Sequence, residues 1–127
     1  MKYTKGYKYQ LHEKTTIQTT VKGHNIKTNF IELDYFGFLT LRAGYAWDGA
    51  TRAFDTKDFM KASAAHDALY QLIGLGLLDA SHREEADKTL VEVAKKAGMP
   101  WLRRKYVYLA VRWLGGQYLQ TKKIHEA

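Results

Sequence analysis

The hydrophobic period of this chain changes once, and that change limits what it can fold into. From Tyr7 to Leu41 apolar residues tend to alternate with polar ones, as in Tyr7, Tyr9 and Leu11 and then Ile17, Thr19 and Val21. A two-residue period belongs to half-buried β-strands. Lys22-Gly23-His24-Asn25 and Asp34-Tyr35-Phe36-Gly37 supply turn residues between the runs. After Gly49 the period becomes helical, with Phe59, Ala62, His66, Leu69 and Ile73 along one stripe. A helix is expected from about Lys57 to Ile73, with Asp55 or Thr56 as its N-cap. Leu75-Gly76-Leu77-Leu78 reads as a turn, and Ser81 with Glu84 three residues later reads as a capping box opening a second helix that ends near Gly98. Pro100 suits the first turn of a third helix, which Gly115-Gly116 is expected to interrupt. The expected fold is α+β, an N-terminal antiparallel sheet of three or four strands packed against three C-terminal helices. One domain is expected over 1–127, with mainly strands over 1–50, helices over 56–118 and a tail over 119–127.

Composition narrows the chemistry. At 127 residues and 46% hydrophobic content, one modest core can be buried. The absence of cysteine excludes disulfides, thiolate chemistry and cysteine-based zinc sites, so a metal must be held by histidine, carboxylate or carbonyl oxygen. The longest apolar run, Leu72 to Leu78, has seven residues including two glycines, too few to span a bilayer. The Lys- and Tyr-rich start lacks the apolar core of a signal peptide, so a soluble, unexported protein is expected. Charge is uneven. Residues 1–87 carry 11 Lys/Arg and 11 Asp/Glu, whereas residues 88–127 carry 9 against 2, so the formal +7 arises in the last third. That surface favours an anionic partner, whether phospholipid, nucleic acid or an acidic protein.

The polar residues of the helices form a candidate site. His66 falls inside the apolar stripe of the first helix, Tyr70 lies four residues on along the same face, and Asp67 sits at the stripe's edge. Asp87 shares a helical stripe with Leu90, Ala94 and Ala97 and so looks inward. Two helices joined by a tight turn pack antiparallel, which brings Asp87 towards His66. A carboxylate on one imidazole nitrogen fixes the tautomer and leaves the other nitrogen to take a proton from water. Arg83 stands four residues before Asp87 as a supporting ion pair. Asp67 and Asp48, from the helix and the loop before it, can join a hard divalent cation. A hydrogen-bonded core pair is the architectural alternative for His66 and Asp87, and a simple turn is the alternative for Asp48-Gly49. On the third helix Arg103, Arg104, Lys105 and Arg112 alternate with Trp101, Tyr106, Tyr108 and Trp113. The aromatic side is expected to pack on the sheet, leaving the cationic side to meet an anionic partner.

Four blocks in order carry a family resemblance: Gly44-Tyr45-Ala46-Trp47-Asp48-Gly49-Ala50-Thr51, Ala65-His66-Asp67-Ala68-Leu69-Tyr70, Arg83-Glu84-Glu85-Ala86-Asp87, and Tyr108-Leu109-Ala110-Val111-Arg112 with Gly115. Together they resemble the short phage and prophage proteins grouped as domain-of-unknown-function family 1353, over roughly residues 44 to 118. The resemblance implies a bacteriophage or prophage origin, and with it the cytoplasm of an infected bacterium or association with the virion. A weaker similarity links His66-Asp67-Ala68-Leu69-Tyr70 to the His-Asp-x-x-Tyr helix of phospholipases A2. That similarity implies His66 as base, Asp67 as calcium ligand, Tyr70 as support and Asp87 as the orienting carboxylate. It departs at the upstream loop, where Tyr45 to Ala50 offers Gly49 and the carboxylate of Asp48 in place of a glycine-rich calcium loop. The resulting expectation is a small hydrolase acting on lipid esters or cell-envelope material. The competing class is a non-enzymatic virion component or host-takeover binder that uses the basic third helix.

Overall fold

Alternation in the first third builds strands, but shorter and more numerous ones than the sequence suggests. A computed structural model describes the backbone of residues 3–4, 9–47 and 57–126 and the side chains of residues 10–47 and 60–113. Seven strands of two to four residues lie in the described part: β1 (Tyr3–Thr4), β2 (Tyr9–Leu11), β3 (Thr15–Gln18), β4 (Ile26–Lys27), β5 (Ile31–Leu33), β6 (Phe38–Leu41) and β7 (Ala46–Trp47). They form two antiparallel sheets, one ordered β1-β2-β7 and the other β3-β6-β5-β4. In the second sheet three hairpin-linked strands are closed by β3 lying beside β6, a Greek-key arrangement. Register puts Ile17 opposite Leu39 and Leu33 opposite Leu39, so these residues line the buried face. The other face sets Thr16 opposite Thr40 and Lys27 opposite Glu32, with Arg42 also paired to Glu32. That is the inside-outside alternation a half-buried sheet requires.

The expected turn at Asp34–Gly37 is present and needs its glycine, whereas Lys22–Asn25 makes a bend at Gly23. Asp34 Oδ1 accepts from the backbone N–H groups of Phe36 and Phe38, each at 2.9 Å, and so folds the β5–β6 corner. Gly37 there has φ +88°, and a Cβ at that position would lie 2.5 Å from the Thr19 carbonyl oxygen. Thr19 N–H donates to the Gly37 carbonyl, and Gly23 N–H donates to the Tyr35 carbonyl, so the chain beyond β3 stays laced to this corner. The Lys22–Asn25 bend does not make a β3–β4 hairpin. It carries His24 to the helices, where His24 Nε2 meets His82 Nε2 at 3.3 Å and His82 Nδ1 meets Glu85 Oε1 at 2.6 Å.

Three helices follow: α1 (Lys57–Gly74), α2 (Arg83–Lys96) and α3 (Trp101–Glu126). α1 is the central element, packed against β6, β7, α2 and α3. Ala62, Ala64, Ala65 and Ala68 are fully buried, and their small side chains let neighbours approach α1 from several sides. α1 and α2 end alike. Leu77 N–H bonds to the Leu72 carbonyl and Gly76 N–H to the Ile73 carbonyl, while Met99 N–H and Gly98 N–H repeat the pattern on Ala94 and Lys95. These are Schellman closures, with Gly76 at φ +76° and Gly98 at φ +100° supplying the left-handed residue.

Three expectations fail. The Ser81–Glu84 capping box gives way to Asp79, whose side chain accepts from Ser81 N–H and starts a short 3-10 turn over Ala80–His82 before α2. Asp79 is a strong cap two residues earlier, so it sets the start. Gly115-Gly116 does not interrupt α3, and no separate tail follows: the helical backbone runs to Glu126. Glycine only weakens a helix interior, by about 1 kcal/mol relative to alanine, and unlike proline leaves its hydrogen bonds intact. Finally, α3 packs chiefly on α2 and α1, not on the sheet. The expected N-cap at Asp55 or Thr56 lies outside the described residues.

Candidate functional site

The carboxylate of Asp87, fully buried on α2, gathers the polar groups of all three helices. On Oδ1 it accepts from His66 Nε2 at 2.7 Å and from Tyr70 O–H at 2.6 Å; on Oδ2 it accepts from Arg112 Nη1 at 3.0 Å. Helical spacing puts His66 and Tyr70 on one face of α1 with ring centroids 4.2 Å apart, so both reach a single oxygen. Arg83 Nε donates to the Tyr70 hydroxyl at 3.2 Å, and its Nη2 donates to the main-chain carbonyl of Arg112.

Burial alone would push the Asp87 carboxyl up; the hydrogen bonds from His66 and Tyr70, the His66 charge when present and the Arg112 bond outweigh it and hold the group below its ordinary value. Burial first, and then the bond to Asp87 and its negative charge, push the Tyr70 phenol well above its ordinary value, so it remains a donor. Asp87 is thus a carboxylate that only accepts, and His66 Nε2 must carry the hydrogen between them. In neutral His66 the lone pair therefore lies on Nδ1, which is buried and has no hydrogen-bond partner. Asp67, on the edge of α1, places its Oδ1 4.0 Å from that nitrogen.

The structure brings His66, Tyr70, Asp87 and Arg83 together as their helical spacing implies, with Asp67 beside them. Arg83 plays a different part from the expected one, since its guanidinium serves Tyr70 and the Arg112 carbonyl and not Asp87. Asp48 lies outside the described residues. Asp67 offers one carboxylate towards the histidine, and among the described residues no group of three or more His, Asp or Glu is arranged to hold a metal ion. Calcium takes about six to eight oxygens, so this part of the site supplies a beginning of such a shell and no more.

Arg112 is the residue that sequence reasoning placed wrongly. Expected on an outward cationic face, it is the ion-pair partner of Asp87. Arg104 also turns back, donating to the Met99 carbonyl. A signal existed in the spacing: among the described side chains of α3 Val107 and Val111 are the buried ones, and Arg104 and Arg112 lie three residues before the first and one after the second. Of the aromatic residues of α3 expected inside, Trp101, Tyr106 and Trp113 are exposed and Tyr108 is half-buried.

These features define an α+β domain whose three helices meet at a buried His-Asp-Tyr-Arg network. The chain belongs to a family described as protein of unknown function, DUF1353, whose model matches residues 37–111. That span runs from the β5–β6 corner to Val111 and contains His66, Tyr70, Arg83 and Asp87. No match to a curated protein or to a solved structure was found.

Proposed function

We propose that this protein is a small hydrolase, encoded by a phage or prophage and working in the infected bacterium, in which His66 activates water. One observation carries the reading: His66 Nε2 lies 2.7 Å from the Asp87 carboxylate, which fixes the hydrogen there, while Nδ1 is buried without a hydrogen-bond partner, 4.0 Å from Asp67. That arrangement is a base with a fixed tautomer. In the proposed step the oxygen of water adds to an ester carbonyl carbon while its proton passes to Nδ1. As the carbon–alkoxide bond breaks, Nδ1 returns that proton to the departing oxygen, giving acid and alcohol. Asp87, held ionised by its donors, stabilises the imidazolium formed in between. Tyr70 and Arg83 position the carboxylate and do not touch the substrate. Asp67 with Asp48 would hold a divalent cation, calcium being the first candidate, which when bound supplies positive charge for the developing oxyanion. The His-Asp-x-x-Tyr helix favours lipid esters or cell-envelope substrates.

The test is fatty-acyl ester and phospholipid hydrolysis by the purified protein, with and without added calcium, comparing wild type with His66→Gln. The glutamine amide can still donate to Asp87 but is not a base. Turnover is expected to fall by about 10²–10⁴-fold with little change in melting temperature. Turnover that survives His66→Gln places the base elsewhere. A second reading, a non-enzymatic virion or host-takeover protein, is favoured by the exposed apolar face of α3, and wild type inert on every ester supports it.

A further inference from the structure

Four large apolar residues of α3 face solvent in one stripe. Leu102, Tyr106, Leu109 and Trp113 are 59–71% exposed, and at about 100° per residue they fall within about 60° of arc. Trp101, 64% exposed, flanks them, and the Lys105 ammonium lies 5.5 Å from its ring centre. The opposite side, with Val107, Val111 and Arg104, is the side that packs on the protein. An apolar stripe on the outer side of a docked helix is the mark of a contact surface.

We infer that α3 is an interfacial helix that lays this stripe on an anionic phospholipid surface. Charge selects this occupant from the alternatives. The helix carries six Lys/Arg against one Glu and stays cationic with Arg104 and Arg112 engaged inside the protein, so pairing with a second copy of itself would bring like charges together, whereas an acidic lipid headgroup layer meets them with opposite charge. Composition agrees: tryptophan and tyrosine with an apolar body and a polar tip, leucines between them and lysine at the margin suit the boundary between headgroups and acyl chains. A nucleic-acid groove would meet charged side chains first, yet Arg104 and Arg112 are engaged inside the protein and the outermost residues are apolar. Among the described residues no helix is long and apolar enough to cross a membrane, so the contact is a surface one. The inference stands apart from the chemistry proposed at His66, since adsorption needs no turnover.

The experiment is co-sedimentation and tryptophan fluorescence with phosphatidylglycerol-containing vesicles, against pure phosphatidylcholine vesicles, at low and high salt. Trp47 is buried while Trp101 and Trp113 are exposed, so a blue shift on binding reports the α3 pair. Wild type should bind the anionic vesicles with a blue shift, and binding should weaken with salt and on phosphatidylcholine. The variant Leu102→Ser/Leu109→Ser/Trp113→Ser, checked for an unchanged circular dichroism spectrum, should lose about a hundredfold in partitioning. Absence of binding to anionic vesicles overturns the inference, as does binding that the triple variant retains. Light scattering and a labelled duplex cover the other occupants. A dimer abolished by the same substitutions makes the stripe a self-interface, and duplex binding abolished by them makes it a nucleic-acid surface; either, without vesicle binding, refutes the lipid assignment.

Discussion

Replacing Asp87 by alanine strips the acceptor from three donors at once, His66 Nε2, Tyr70 O–H and Arg112 Nη1. Each neutral donor left unpaired in a buried place costs about 1–3 kcal/mol, and breaking a buried ion pair costs about 3–5 kcal/mol. The terms share one carboxylate and do not add. The Arg112 side chain is 33% exposed and can recover part of its hydration. A net loss of about 3–5 kcal/mol is therefore expected. For a chain of this size 1 kcal/mol moves the melting temperature by about 3–5 °C, so Asp87→Ala should melt about 10–20 °C below wild type. Asp87→Asn keeps an oxygen for His66 and Tyr70 but turns an amide N–H towards Arg112, and should lose about half as much. Calorimetry at neutral pH, with His66→Gln as the control that preserves the contact, gives the comparison. An Asp87→Ala protein melting within about 3 °C of wild type would refute the view that this carboxylate joins the helices.

The same site should show in the pH dependence of stability. Asp87 has its folded value lowered, so its contribution is present at neutral pH and is lost as pH falls below about 4; Asp87→Asn should flatten the acid limb of a melting-temperature profile. Tyr70 has its folded value raised, so its contribution is complete below about pH 10 and fades as pH climbs above that; Tyr70→Phe should flatten the alkaline limb. In the sheet, Gly37→Ala drives a Cβ against the Thr19 carbonyl and should cost about 2–4 kcal/mol by urea denaturation, whereas Gly23→Ala, with the same sign of φ and nothing within 4 Å, should cost about 1 kcal/mol. Equal losses would show that packing at Gly37 contributes nothing.

Much of the site was legible because it depends on short-range helical geometry. A stripe through Phe59, Ala62, His66, Leu69 and Ile73 locates α1 to within a residue of its observed end, and the spacing from Asp87 to Leu90 turns the carboxylate towards it. Strands of two to four residues are too short to express a period, so their number and the β3–β6 pairing, closed only after an excursion through two other strands, stay hidden in the sequence. Arg112 lies 25 residues beyond Asp87, and α3 has apolar residues on both sides. Which side docks was settled by tertiary contacts, the valine side with its arginines finding acceptors at Met99 and Asp87 while the aromatic side stayed out.

The link from Asp87 to Arg112 bears on how the domain comes apart. If α3 lifted away, α1 and α2 would still enclose a carboxylate, now without the arginine that balances its charge, and Arg83 would lose the carbonyl it reaches across to hold. A two-helix remnant of that kind is disfavoured by its own buried charge, so departure of α3 is coupled to opening of the pair beneath it. The stretch of α3 around Arg112 is therefore expected to exchange its amide hydrogens in step with α1 and α2, although its other side faces solvent.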